Sequence, residues 1–269
     1  MKKLFTRTRA YIAIIWMILT PFAMGIWMLF HFRGNLNNAN HAFVRFLRWG
    51  VQKTGKIEVT VEGREHLTEH QPCIFVSNHQ HYFDAVLVGE VFPPNTVVAA
   101  MIELRRLPVM GWIFEKAGNI FIDRDNPKAA VRTLRNFANK MRKENINLWI
   151  FPEGYLNVEK KGLQPFKRGP FLTAVQLQAP IVPVVISPSY CLLDATAGHR
   201  RPGKAWVKVL PPIATEGLER KDIDMLREKT REKMLVAYQE LEQIALTNNP
   251  PNAINCDAAL QETTGVAAS

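Results

Sequence analysis

Acidic residues are missing from the first 57 positions of this chain, and cysteine is scarce throughout its 269 residues. The three cysteines, Cys73, Cys191 and Cys256, are odd in number and scattered, without metal-ligand spacing. That argues against a disulfide framework and a cysteine-based zinc site, and it fits a reducing compartment. No G-x-S-x-G string and no glycine-rich P-loop occurs, which weakens serine-hydrolase and nucleotide-hydrolase chemistry. There is no internal repeat. Apolar residues are not scarce: at 47% they exclude disorder of the whole chain, and the length suits one large domain plus a further element.

The charge is unevenly placed. Residues 1–57 hold nine Lys or Arg, and Glu58 is the first acidic residue; the remainder carries 25 basic against 24 acidic groups. A nucleic-acid-binding domain would keep its excess on the folded body, so no nucleic-acid partner is expected. Here the excess flanks an apolar run, Ala10 to Phe32, whose only ionisable groups are Tyr11 and His31. As a helix that run is about 35 Å long, enough for a hydrocarbon core of about 30 Å. It is too long for a cleaved signal peptide, and no small-residue cleavage site follows. Lys2, Lys3, Arg7 and Arg9 precede it, and Arg33, Arg45, Arg48 and Lys53 follow, so the positive-inside rule does not orient it. Pro21 and Gly25 interrupt its middle. Residues 39–51, with Phe43, Phe46, Leu47 and Trp49 among Arg45 and Arg48, have the composition of an interfacial amphipathic helix. The expectation is a kinked or re-entrant membrane-embedded anchor over residues 1–55, with the body on the cytoplasmic face of the inner membrane. A single spanning helix and a buried core helix are the alternatives.

Residues 56–245 read as an α/β domain, a largely parallel sheet flanked by helices. The expected strands are Lys56–Val61, Cys73–Ser77, Val97–Met101, Asn119–Asp123, Asn147–Phe151, Ile181–Ser187 and Ala205–Val209. Helical stretches are expected at 84–92, 107–117, 127–143 and 169–178, with a long charged helix at 221–245. The 127–143 helix has Asn126 as N-cap and Pro127 at its first position. Val131, Leu134, Ala138 and Met141 form its buried stripe. Lys128, Arg132, Arg135 and Arg142 form a basic face, either simply solvated or touching lipid headgroups or an acidic carrier. Residues 246–269, with Asn-Asn-Pro-Pro and a Gly/Ala/Ser end, read as a disordered tail.

Three strings could carry chemistry. His79 and Asp84 lie five apart; on one helix they would stand about 140° apart around the axis, too far to pair. They meet only if His79 sits in the turn leaving strand 73–77 and Asp84 opens the helix that follows. The carboxylate could then orient the imidazole and stabilise its protonated form. His81 with Asp84 is a competing local pair. Phe151-Pro152-Glu153-Gly154 places a carboxylate and a glycine at a strand end, where α/β sheets put their chemistry. His66-Leu67-Thr68-Glu69-His70 matches the inverted zinc-peptidase string, which needs a helix to bring both histidines to one face. Here it bridges two short strands and meets Gln71-Pro72, so a solvated turn is the simpler reading.

Asn78-His79 followed by Asp84 resembles the first motif of the glycerolipid acyltransferase family. Gly118-Asn119-Ile120-Phe121-Ile122-Asp123-Arg124 resembles its second, Phe151-Pro152-Glu153-Gly154 its third and Ile181-Val182-Pro183-Val184 its fourth. Gln164-Pro165-Phe166-Lys167-Arg168-Gly169 and Leu210-Pro211-Pro212-Ile213 extend the likeness, which runs from about residue 40 to 215 and is closest to bacterial 1-acylglycerol-3-phosphate (lysophosphatidic acid) acyltransferases. The resemblance implies transfer of an acyl group from acyl-CoA or acyl-carrier protein to the sn-2 hydroxyl of a lysophospholipid, forming phosphatidic acid without a covalent enzyme intermediate. It needs no further cofactor and no metal. His79 would be the general base and Asp84 would hold its tautomer. Arg124, Glu153, Gly154, Lys167 and Arg168 would bind substrate, with Arg124 on the acceptor phosphate.

Two positions depart from the family pattern. Tyr155-Leu156-Asn157 stands where the family usually has Thr-Arg-Ser, and Met101-Ile102 precedes Glu103-Leu104 where a lysine is common. Either Arg124 with Lys167, Arg168, Lys160 or Lys161 compensates, leaving a lysophosphatidate site, or the acceptor is a different lysophospholipid. A non-catalytic membrane protein on the same fold is a third reading, opposed by the intact His79 and Asp84.

Overall fold

The computed structural model describes residues 37–55, 57–67, 72–81, 84–107, 110–157, 162–188, 192–194, 199–200 and 203–249. The apolar segment 10–32 and the tail beyond Asn249 lie outside them. Among the described residues no helix is long and apolar enough to cross a membrane.

Seven strands form one sheet: β1 (Ile57–Glu62), β2 (Ile74–Ser77), β3 (Thr96–Met101), β4 (Ile120–Ile122), β5 (Asn147–Ile150), β6 (Ile181–Ile186) and β9 (Gly203–Val209). Their order is β1-β9-β6-β2-β5-β3-β4. Every pairing is parallel except β6 with β9. All seven coincide with the expected strands. A two-stranded hairpin, β7 (Leu193–Asp194) with β8 (His199–Arg200), is additional; strands of two residues leave no periodic signal to read.

The central strands β2, β5 and β6 are buried throughout, as near-continuous apolar runs covered on both faces must be. Alternate side chains serve opposite cores. Ile74, Val76, Leu148, Ile150, Ile181 and Val185 face one core. Phe75, Trp149, Val182, Val184 and Ile186 face the other, where Phe75 stacks on Trp149 at 5.3 Å. The first core is closed by α4 (Pro127–Glu144), α5 (Gly169–Leu177) and α6 (Ile223–Asn248), the second by α1 (Asn37–Gly55) and α2 (Asp84–Val88). The remaining helix, α3, is Met110–Lys116.

Helix α4 starts as expected: the Asn126 side chain accepts the Ala129 N–H at 3.0 Å, with Pro127 next. Leu134, Phe137, Ala138 and Met141 are its buried residues, so Phe137 rather than Val131 completes the stripe. Lys128, Arg132, Arg135 and Arg142 are exposed. Helix α2 is shorter than the expected 84–92. Gly89 turns the chain where the Val44 carbonyl comes so close that a Cβ would lie 2.7 Å from its oxygen. Helix α6 runs past 245 into the expected tail. The Asn249 side chain then accepts the Lys204 N–H and donates to the Lys204 carbonyl, each at 2.9 Å, tying the end of α6 to β9.

The amphipathic helix expected at residues 39–51 lies within α1. Its inner face packs on the body through Ala39, Val44 and Leu47. Arg48 pairs with the buried Glu90 at 2.6 Å. Asn40 is fully engaged, donating to the Thr96 and Ala117 carbonyls and exchanging two 2.9 Å hydrogen bonds with Asn119. Arg45 and Trp49 remain outward. Asn40→Ala leaves the buried Asn119 amide without this partner and should cost about 1–3 kcal/mol. The midpoint of urea unfolding measures it; an unchanged midpoint would mean that α1 docks without this amide pair.

Candidate active site

The sheet order decides which loops meet. β2, β5, β3 and β4 are mutually parallel neighbours, so their carboxyl ends lie along one edge. His79 follows β2, Glu153 to Tyr155 follow β5, and Arg124 follows β4. Residues spread over the sequence thereby converge without any of these loops being long.

His79 is held at four points. Its ring Nδ1 lies 2.9 Å from Asp84 Oδ2. The ring stacks on Phe151, with centroids 4.0 Å apart. Its backbone N–H donates to Glu153 Oε1 at 2.9 Å, and its carbonyl accepts the Asn157 N–H at 2.8 Å. The pairing with Asp84 arises as the sequence requires, the histidine in the turn and the carboxylate at the start of α2. Asp84 Oδ2 also accepts the backbone N–H groups of Gln80 and His81, at 2.6 and 2.9 Å. Asp84 therefore holds both the turn and the ring. The competing His81–Asp84 contact is a backbone one, and those two N–H groups are spent on Asp84 and are not free to serve a substrate oxyanion.

Asn78 fixes the strand end beside this turn. Its side chain donates to the Ile186 carbonyl at 3.0 Å and accepts the Ile186 N–H at 2.8 Å, closing β2 onto β6. The motif spacing marked His79 and Asp84 but gave no reason to single out Asn78, because its partner lies 108 residues away.

Glu153 is 3% exposed and spends both carboxylate oxygens on backbone donors. Oε1 takes the His79 N–H and Oε2 takes the Gln164 N–H at 2.9 Å. The resemblance implies a substrate-binding role for it; its two backbone bonds here clamp two loops together. Burial pushes its carboxyl up to about 7, against the two backbone N–H bonds, which lower it; the nearby Asp84 charge raises it further and Arg231 lowers it. Arg231, on α6, donates to the Leu163 carbonyl at 2.8 Å and contacts the Gln164 carbonyl at 3.3 Å. It fixes the loop that reaches Glu153. Asn157, a departure in the third motif, bonds the Gly162 carbonyl at 2.6 Å and accepts from Gln164 at 3.0 Å.

Gly154 has φ +81, and a Cβ there would meet the Lys167 stem at 3.3 Å. Glycine thus permits both the turn and the close passage of Lys167, whose N–H is held by the Pro152 carbonyl at 2.7 Å. Arg124 and Lys167 each lie 5.6 Å from the centre of the Tyr155 ring. Arg168 is turned to other use, its Nε 3.1 Å from Asp224 on α6. Lys160 and Lys161 lie outside the described residues. His66 sits in a single 3-10 turn, Arg64–Leu67, while His70 lies outside the described residues. Among the described residues no cluster of His, Cys, Asp or Glu has the makings of a metal site.

An α/β sheet whose carboxyl edge holds a histidine–aspartate pair in a rigid turn defines the class: an enzyme equipped to take a proton from a hydroxyl. The family model described as Acyltransferase matches residues 58–187, and the chain belongs to that family. It is 35% identical over 209 residues to the 1-acyl-sn-glycerol-3-phosphate acyltransferase of Saccharomyces cerevisiae, covering 76% of this chain and 68% of that one. The alpha enzyme of that name from Mus musculus is 36% identical over 207 residues, covering 76% and 72%. The crystal structure of the 1-acyl-sn-glycerophosphate acyltransferase of Thermotoga maritima shares the fold, with a TM-score of 0.67, 24% identity and coverage of 90% and 98%.

The clamp at Glu153 makes a two-part prediction. Its carboxyl binds a proton more tightly folded than unfolded, so its contribution to stability is full below the ordinary 4.5 and is lost as pH rises through about 7. Glu153→Gln cannot ionise, and it sets an amide NH₂ against one of the two backbone donors. That variant should lose about 1–3 kcal/mol at neutral pH and show a flatter dependence of unfolding midpoint on pH between 4.5 and 7. Equal slopes in both proteins would show that Glu153 does not titrate in this range.

Proposed function

We propose that this chain is a 1-acylglycerol-3-phosphate O-acyltransferase, moving a fatty acyl group from a thioester donor to the sn-2 hydroxyl of lysophosphatidic acid to form phosphatidic acid. The observation that carries it is the fourfold restraint of His79, which leaves one ring nitrogen committed to Asp84. With Nδ1 on the carboxylate, Nε2 is the nitrogen that faces the acceptor. His79 takes the hydroxyl proton as the oxygen attacks the thioester carbonyl, a role typically worth about 10²–10⁴ in rate. A carbon–oxygen bond forms, the carbon–sulfur bond breaks, and the thiolate leaves with the proton that His79 returns. Asp84 stabilises the imidazolium between these steps. No serine or cysteine need be acylated, in keeping with the missing nucleophile string.

Arg124 and Lys167 are the cations for the acceptor phosphate, supported by their shared approach to Tyr155 beside the Glu153–Gly154 turn. The donor is acyl-CoA or acyl-carrier protein. The acceptor is amphiphilic, and the apolar segment 10–32 with its basic flanks supplies the anchor, a kinked or re-entrant one that keeps the body on the cytoplasmic face of the inner membrane. The outward Trp49 and Arg45 of α1 suit the same surface.

The test is acyl transfer by the membrane fraction across a panel of lysolipids, with unaltered chain and His79→Ala side by side. Transfer to 1-acylglycerol-3-phosphate should fall by about 10²-fold or more in the variant. Transfer to other lysolipids with none to lysophosphatidate would overturn the acceptor, and full activity of His79→Ala would overturn the mechanism. Loss of activity on chelation would instead point to His66 and His70.

A further inference from the structure

The loop after Gly154 places an exposed aromatic ring one residue before the position where the motif pattern puts an arginine. Tyr155 is 48% exposed, and its hydroxyl donates to Asp125 Oδ1 at 3.2 Å. Two cations approach the same ring: the Arg124 guanidinium carbon and the Lys167 Nζ each lie 5.6 Å from its centre. They reach it from different elements. Arg124 comes off the end of β4, and Lys167 from the loop before α5, its stem lying across Gly154. Two like charges drawn to one ring repel each other, and in water long side chains would separate. The ring's electron-rich face attracts each of them, and Asp125 fixes the ring by its hydroxyl.

We propose that Tyr155 is the residue that selects the acceptor headgroup: it gathers Arg124 and Lys167 into a two-cation clamp for a phosphomonoester dianion. This rests on the acyltransferase reading above and decides between its two acceptors. A phosphomonoester offers three terminal oxygens and close to two negative charges, and a guanidinium with an ammonium can divide them between a fork and a point contact. A phosphocholine headgroup fits badly. Its phosphate carries one charge, its quaternary ammonium is repelled by both cations, and the ring that could receive it already attracts two protein cations. Leu156, where an arginine would stand in the family pattern, is only half-buried and adds no charge. The aromatic ring thus replaces a fixed cation with a device that collects two from elsewhere. Tyr155 is a positioning residue here, acting through Arg124 and Lys167.

The experiment uses the full chain in membranes with one acyl-CoA as donor and two acceptors, 1-acylglycerol-3-phosphate and 1-acylglycerol-3-phosphocholine. Tyr155→Leu removes the ring. It should raise KM for the phosphomonoester about 10-fold or more while kcat stays within about 3-fold, the signature of lost headgroup binding. KM for the phosphocholine acceptor should not rise. Tyr155→Phe keeps the ring and loses only its Asp125 tether, so its KM should rise less, by about 3-fold. Adding Leu156→Arg to Tyr155→Leu should restore part of the preference for the phosphomonoester. An unchanged KM in Tyr155→Leu would overturn the clamp, as would an equal fall in kcat with both acceptors. Unaltered chain that prefers the phosphocholine acceptor overturns the clamp and the lysophosphatidate acceptor, while the acyl-transfer chemistry at His79 stands. Unaltered chain that acylates neither acceptor overturns the acyltransferase reading and the clamp with it.

Discussion

A carboxylate buried to 3% exposure, with both oxygens bound by backbone N–H groups from different loops, is the constraint on which the rest of this site depends. Glu153 joins His79, 74 residues before it, to Gln164, 11 residues after it. Burying such a group is costly unless its oxygens are satisfied, and the rise of its carboxyl to about 7 shows that burial outweighs the bonds. The return on that cost is geometric. With the N–H on Glu153, the carbonyl on the Asn157 N–H and the ring between Asp84 and Phe151, His79 has few ways to move. A base held in this manner loses little freedom when the substrate arrives, which is where positioned groups gain their advantage in rate.

The two carboxylates at the site divide the labour by their surroundings. Asp84 gathers three donors on a single oxygen, one of them the imidazole, and so acts directly on the base. Glu153 touches only backbone and acts on the turn. A pair of acids near a histidine suggests an acid–base couple, but a buried carboxylate with each oxygen held by a backbone N–H from a different loop serves here as a structural part. The phosphate-binding side of the site is built on the same loop and yet is loose by comparison. Tyr155 is exposed, and Arg124 and Lys167 each lie 5.6 Å from the centre of its ring. Rigidity at the base and adaptability at the headgroup follow from which residues the loop after β5 buries.

Much of this was legible in the sequence, and the reasons are physical. The seven sheet strands were readable because central parallel strands are apolar on both faces, and flanking turn residues bound them. The His79–Asp84 pair was readable because a five-residue interval allows only one junction, strand to turn to helix. What could not be read were the bonds that depend on distant partners. Nothing local to Asn78 announces Ile186, and nothing local to Glu153 announces Gln164. The resemblance implies Glu153 and Arg168 as substrate ligands, and their bonds to the His79 N–H and to Asp224 depend on partners that the motifs do not contain. Arg48 reads only as one cation of an amphipathic helix, and nothing local to it announces its partner, the buried Glu90. Charge identifies a residue that must have a partner; it does not say whether that partner is substrate, lipid or protein.

The part of the chain with least motif character turns out to matter for the turn it never touches. Helix α6 lies beyond residues 58–187, the span of the family match, and reads from sequence only as a long charged helix. From it Arg231 grips the carbonyls of Leu163 and Gln164, and the Gln164 N–H then meets Glu153. Those bonds also place a positive charge close enough to lower the Glu153 carboxyl against its burial. Without Arg231, the loop carrying Gln164 would keep its bonds to the Glu153 carboxylate, the Asn157 side chain and the Pro152 carbonyl but lose this grip from α6. Lys167 rides on that same loop, three residues on from Gln164. The closing helix therefore supports both halves of the chemistry, the base through Glu153 and the headgroup clamp through the segment that presents Lys167.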